Sequence, residues 1–220
     1  MAYAGYGRFL DRWCRAAAAL VESASKVVIV LGPDHGWDRE LPDDIKERAT
    51  IVETGEHLSN GAYRNLAAKE IDTEWTVLVD ADDQILPGAV GAFRRAADEG
   101  ADVVVPTYYS KSRRGVRVAT PRLPDVGALR RGLWQNRGFF LTASYAYRTG
   151  FLAPEPYADH RHPNIIHAVR LALAGARFTA TSEPCFVYHR RPGSMSGSRT
   201  SRQRQRIYAD LHRHVKEMVG

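Results

Sequence analysis

Three carboxylates crowd into VLVDADDQILP (Val77–Pro87): Asp80, Asp82 and Asp83 follow directly on an apolar run. Carboxylates this close repel one another, and burying them without a cation is costly. A divalent ion removes the repulsion. An oxygen-rich donor set suits Mg²⁺ or Mn²⁺, which keep coordination positions open for substrate phosphates. The preceding Trp75–Val79 (WTVLV) reads as a buried strand, so the acids stand at its carboxyl end, where open α/β sheets bind ligands. The alternative reading is a solvated acidic turn leading into the helix that Pro87 starts.

A scaffold for that strand is legible on both sides. Phe9–Ser23 is Ala-rich with helical spacing, and Lys26–Leu31 (KVVIVL) is a β-branched strand ending in the loop Gly32–Gly36. A short helix is expected over Leu41–Glu47, a strand over Thr50–Glu53, and a helix over Ala62–Glu70 with Ser59 or Asn60 as its cap. Gly88–Asp98 is an amphipathic helix ended by Gly100, and Ala101–Pro106 is a fourth strand. This alternation predicts an open α/β sheet with parallel strands.

The second half is less regular. Tyr108–Pro124 is polar and Arg-rich, a hairpin or mobile loop, with Arg113, Arg114 and Arg117 read as solvated. Phe139–Arg148 is a strand, Pro154–Pro163 a loop, and Asn164–Ala174 a helix closed by Gly175. Arg177–Thr181 and Cys185–His189 are short strands, and Ser201–Met218 is a C-terminal helix. His160, His162 and His167 read as surface histidines, while Trp134 and Tyr157 read as core aromatics. No linker separates the halves.

Composition bounds the function. A chain of 220 residues, 44% hydrophobic and 25% charged, is one globular domain rather than a disordered or collagen-like chain. The longest apolar runs, Ala16–Val21 and Val27–Gly32, fall far short of the roughly 20 residues a membrane span needs. The opening MAYAGYGRFLDRW lacks the clean apolar stretch of a secretory signal, so the cytoplasm is the expected compartment. Two cysteines, Cys14 and Cys185, form neither a metal motif nor a disulfide framework. The net charge is +6 and the basic residues are mostly Arg, an excess that the abundance of Ala ascribes chiefly to a GC-rich genome, phosphate-bearing partners being the other reading. No nucleic-acid motif accompanies that charge.

The acidic strand end acquires meaning in company. Asn60-Gly61-Ala62-Tyr63-Arg64-Asn65, then a helix, then an apolar strand ending Asp-Ala-Asp-Asp, then a Pro, resembles the nucleotide-binding half of family-2 glycosyltransferases, which have the GT-A fold. Tyr188–Ser196 (YHRRPGSMS) is similar to that family's C-terminal Tyr-Arg-x-His-Pro-Gly-Ser segment. The resemblance spans about residues 9–198. It implies a single GT-A-like (Rossmann-like) α/β domain over 1–220, with a mostly parallel central sheet flanked by helices. About 1–106 would be the nucleotide-sugar half, about 107–200 the acceptor half, and 201–218 a C-terminal helix.

The resemblance further implies metal-dependent, inverting transfer of a sugar from a nucleoside-diphosphate sugar to a hydroxyl on a glycan, protein or lipid-linked acceptor. Asp82 would ligate Mn²⁺ or Mg²⁺, and Asp80 would contact the donor ribose or the metal, with Asp83 a further candidate. Arg64 and Asn65 would lie near the donor nucleotide and Asp34 near its base. Asp159 would be the general base, and His189 a metal or phosphate contact. The sequence departs from the family pattern in places. Only Met1–Arg8 precedes the first helix, so the opening strand should be short, altered or absent. Ala158 replaces a Glu, and alignment without a gap puts Asn164 in the base position, with His160 a second choice. Two other readings stay open: a degenerate fold that binds a sugar nucleotide without turnover, and a metal-dependent phosphatase, since VLVDADD also resembles the Asp-x-Asp strand end of haloacid-dehalogenase phosphatases.

Overall fold

In the computed structural model, residues 2–3, 14, 17–18, 20, 22–33, 42–80, 83–113, 115–124, 127, 144–151, 156–157, 163–189, 209–210, 213–214 and 216–218 are described. Their elements, in chain order, are β1 (Ala2–Tyr3), β2 (Val27–Leu31), α1 (Asp43–Arg48), β3 (Ala49–Glu53), α2 (Asn60–Lys69), β4 (Trp75–Leu78) and β5 (Gln84–Ile85). They continue with α3 (Ala89–Asp98), β6 (Val103–Ser112), β7 (Gly115–Ala119), β8 (Tyr145–Arg148), α4 (Pro163–Leu173) and β9 (Phe178–His189). In the Ala-rich segment, Cys14, Ala17, Ala18, Leu20, Glu22 and Ser23 are helical.

Every residue of β2 is buried, and its alternation feeds two cores. Val27, Ile29 and Leu31 pack with Ala17, Leu20 and the α3 residues Ala92, Phe93 and Ala96. Val28 and Val30 pack on the other face against Tyr63 and Ala67 of α2. β6 divides in the same way: Val104 joins the α3 side, while Val103 and Val105 join Ala168 and Leu171 of α4. Helices therefore cover both faces of the sheets, a three-layer α/β arrangement.

The expected α/β class holds, but the strand directions are less uniform than the alternation predicts. β1, β2 and β3 form a parallel sheet. The second sheet, ordered β4-β8-β6-β9-β5 with β7 beside β6, is mixed. Only β6 and β9 run parallel there; β4 with β8, β5 with β9, and β6 with both β7 and β8 are antiparallel. The cause is chain length between strands. A parallel pair needs a long crossover, whereas β6 turns straight back into β7 through a tight hairpin. The Arg-rich stretch is thus a hairpin in its first part, and the two short strands expected at 177–189 fuse into β9.

β6 and β9 each carry a proline, Pro106 and Pro184, and their register shifts at that level. A proline supplies no N–H to a ladder. Threonines take over: Thr107 N–H donates to Thr181 Oγ1 at 2.8 Å, and the Thr107 hydroxyl donates to the Thr181 carbonyl at 2.7 Å. Beyond the shift the strands continue in register to Lys111 and His189.

The opening strand is present but two residues long, pairing with Val30 and Leu31 at the carboxyl end of β2. At the other end, a cavity of about 500 Å³ lies between Lys26–Val28 and Thr73–Val79. Its lining runs the length of β4 and also includes Arg64 of α2 and Tyr157.

Candidate active site

α2 starts at Ser59, whose side chain accepts from the Ala62 N–H at 3.2 Å, so of the two expected caps Ser59 is the one used. Its first turn is drawn tightly onto β2. Tyr63 is 1% exposed, and its hydroxyl accepts from the Leu58 N–H at 3.3 Å. A Cβ placed on Gly32, just after β2, would sit 2.4 Å from the Tyr63 hydroxyl oxygen, so only glycine fits there.

The next two residues of α2 face the strand ends. Arg64 Nη2 donates to Asp80 Oδ1 at 2.7 Å, and Nη1 donates to Asn164 Oδ1, at the start of α4, at 2.8 Å. The Arg64 side chain is 5% exposed and that of Asp80 is 32% exposed. Burial works against the Arg64 charge, but Asp80, with Tyr157 and Tyr145, together outweigh it, and the pKa of Arg64 is raised. Its guanidinium carbon also lies 5.8 Å from the centroid of the Tyr157 ring, within cation–π range.

Asn65 does something different. Its Nδ2 donates to the Tyr157 carbonyl at 2.8 Å, and its Oδ1 accepts from the Tyr157 N–H at 2.9 Å. Arg170 of α4 donates to the neighbouring Pro156 carbonyl at 3.1 Å. Beneath this anchor lies a buried polar aromatic cluster. The hydroxyls of Tyr147 and Tyr157 are 2.9 Å apart, and the Tyr145 hydroxyl is 2.6 Å from His167 Nδ1. Burial pushes all three phenols well above the usual tyrosine range. Burial, with Arg170 and Arg64 nearby, lowers His167 to about 3, so the imidazole is neutral. The expectation of a surface histidine is therefore corrected for His167, which α4 turns inward at 2% exposure. Tyr157 is a core aromatic, as its type suggests, at 2% exposure.

The acidic segment folds back on itself: the Asp83 N–H donates to the Asp80 carbonyl at 3.1 Å. Asp83 is buried and Asp80 is tied to Arg64, so neither behaves as an acid of a solvated turn. β5 begins one residue later and pairs antiparallel with β9, Gln84 opposite Val187. This register brings the end of β9, with His189, back alongside the chain that leads into β5. Asp34, Asp82, Asp159 and His160 lie outside the described residues. Among the described residues no three His, Cys, Asp or Glu side chains converge as a metal cluster. Asn164, the ungapped alternative for the base, holds Arg64 instead, and an amide cannot take up a proton at neutral pH.

The structure brings the expected residues Asp80, Arg64 and Asn65 together with partners that sequence reasoning did not name for them. Asn164 and Tyr157 stand 100 and 92 residues away from Arg64 and Asn65 respectively. The ungapped alignment onto Asn164 was the one available signal.

On this α/β scaffold the carboxylate held by a buried arginine stands at a strand's carboxyl end, where open α/β sheets bind ligands. Residues 38–154 match the Glycosyl transferase family 2 profile, and the chain belongs to that family. The solved structures it resembles have the GT-A fold. S. aureus TarS 1-349 in complex with UDP-GlcNAc aligns over 99% of this chain and 63% of its own, at 16% identity and a TM-score of 0.66. The same TarS segment in complex with UDP aligns over 98% and 70%, at 15% identity and a TM-score of 0.61. Without that ligand in its description, TarS 1-349 aligns over 86% and 58%, at 15% identity and a TM-score of 0.59. The chain thus spans less than two thirds of two of these three structures. No curated protein matches the sequence.

Proposed function

We propose that this chain is a glycosyltransferase that binds a nucleoside-diphosphate sugar at the carboxyl end of β4 and passes the sugar to an acceptor hydroxyl. One observation carries the reading: in a member of glycosyl transferase family 2, Asp80 stands at that strand end with one carboxylate oxygen fixed by buried Arg64. The other oxygen has no hydrogen bond among the described residues. An oxygen donor of that kind fits Mg²⁺ or Mn²⁺, with Asp82, Asp80 and His189 as the residues that would hold it. The bound ion would neutralise charge on the departing diphosphate.

The remaining roles fall to the chain's own residues. Arg64 orients Asp80 and adds positive charge beside it. Asp159, two residues beyond the anchored Tyr157, takes the proton from the acceptor hydroxyl, and one base opposite the leaving group suffices for inversion. Asp34 recognises the base. UDP is the first nucleotide to try, because the TarS structures similar in fold were solved with UDP and UDP-GlcNAc. Residues 1–106 bind the donor and 107–200 the acceptor, with 1–220 acting as one domain. Two free cysteines suit the cytoplasm, where the reaction is placed.

A thermal-shift series of nucleoside diphosphates with and without Mn²⁺, followed by UDP release from UDP-GlcNAc, tests this. Stabilisation that needs both UDP and the ion, abolished in Asp82→Ala, is expected. Binding without release of UDP across acceptors selects the non-catalytic reading. Phosphate release from simple monoesters selects the phosphatase.

A further inference from the structure

The hairpin of β6 and β7 has a composition that its fold does not use. Among the described residues, the large apolar side chains standing exposed are Val116 at 59%, Val118 at 58% and Leu123 at 40%, and all three lie in or just after this hairpin. Residues 110–124 (SKSRRGVRVATPRLP) carry Lys111, Arg113, Arg114, Arg117 and Arg122 and no acid. Lys111, Arg113 and Arg117 are exposed and have no ion-pair partner among the described residues. By contrast, Arg177 pairs with Asp102 and Arg213 with Asp210.

Strand register arranges these residues by face. Residues directly opposite one another across a ladder share a side of the sheet. Val116 stands opposite Lys111, and Val118 opposite Tyr109. One face of the hairpin therefore presents two exposed valines, a half-buried tyrosine and a lysine. Arg113 lies in the turn at its tip. Across β6 the same face continues to Val187 and His189 of β9, which stand opposite Tyr109 and Lys111. His189, a proposed ion contact, thus shares the hairpin's side of the sheet.

We propose that this hairpin docks on an anionic lipid bilayer surface, with Val116 and Val118 entering the headgroup region and Lys111, on their face, and Arg113, at the tip, pairing with lipid phosphates; Arg117, opposite Ser110, stands on the other face. Aliphatic, aromatic and basic side chains on one face form the pattern that seats peptide structure at a membrane interface. A polyanion in solution would use the cations and leave the valines in water. A second copy pairing along the edge of β7 that is unpaired among the described residues would bring two acid-free strands, each with Arg117, together, a known deterrent to edge pairing. The assignment goes beyond the transferase reading, and vesicle binding needs no sugar nucleotide, so either stands or fails alone.

The test is flotation of the full chain with vesicles of phosphatidylcholine, with and without phosphatidylglycerol. The expected result is binding to the phosphatidylglycerol vesicles that weakens with salt, and far less to phosphatidylcholine alone. Each basic residue at an anionic surface strengthens binding about fivefold, so Lys111→Gln/Arg113→Gln should lose roughly 25-fold. Val116→Ser/Val118→Ser keeps every charge, and because both side chains are exposed it should fold with an unchanged Tm; it too should lose binding. No flotation of the wild-type chain overturns the proposal. So does full binding by the valine variant, which would mark a site for soluble polyanions such as RNA, or a dimer in solution that the valine variant dissolves.

Discussion

One amide of Asn65 satisfies both main-chain polar groups of Tyr157, the carbonyl at 2.8 Å and the N–H at 2.9 Å. The preceding residue, Arg64, holds Asp80. Two adjacent positions on α2 thus tie the end of β4 and the Pro156–Tyr157 segment to one rigid element. Asn65→Ala removes both bonds and leaves buried groups unmatched, at a cost of about 1–3 kcal/mol. Urea denaturation should register that loss, and the Tyr157 amide should exchange faster with deuterium. UDP affinity should change little, because the Asn65 side chain is spent on Tyr157 rather than on a nucleotide. A large fall in UDP affinity with the Tyr157 amide still protected would reverse that assignment.

Arg64→Lys keeps the charge but not the fork that reaches Asp80 and Asn164 together. A single ammonium can serve one of them. Since Asp80 is about one-third exposed, the destabilisation should be roughly 2–4 kcal/mol, somewhat below that of breaking a fully buried pair. Donor affinity should fall further than stability accounts for, which calorimetry on the folded variant can read.

His167 gives the protein an acid sensitivity with a defined window. Its folded value, about 3, is lower than the ordinary 6.5. The unfolded chain therefore takes up a proton first, and stability falls as pH drops from about 6.5 towards 3, while above 7 the histidine contributes no slope. Asp102, lowered by its bond to Arg177, acts only further into acid, below the usual carboxylate range. Comparing wild type with His167→Phe at pH 7.5, 6 and 5 isolates the histidine. The wild type should lose stability across that series, and the variant should lose distinctly less.

Cys185 is fully buried, and burial pushes its thiol above the ordinary range. Cys14 is half-buried. A thiol reagent at neutral pH should label Cys14 on the native protein and reach Cys185 only on unfolding. Mass spectrometry of the labelled peptides would check this; rapid native labelling of Cys185 would contradict the packing around β9.

The local elements were readable because local rules set them. The apolar run at 27–31, the Ser59 cap and the helix closing at Gly175 each depend on residues within a turn or two. Strand direction in the second sheet was not readable, because apolar runs look alike whether their neighbours run up or down. The site divided in the same way. Asp80 and Arg64 lie on adjacent elements and carry motif residues, so their types gave them away. Asn164, Tyr157 and His167 reach the site from the far half of the chain, although His167, set between Ile166 and Ala168 in an apolar helical run, did carry a local sign that it faces inward.

At Gly32 the seam between β2 and α2 is one hydrogen atom wide. Tyr63, which closes the seam, is followed at once by Arg64 and Asn65, so a helix shimmed outward there would lift both grips together. The clasp on Asp80 therefore depends on packing at a position that bears no charge. An inert methyl group at residue 32 would act as a remote lesion, loosening the carboxylate and the Tyr157 segment in a single movement.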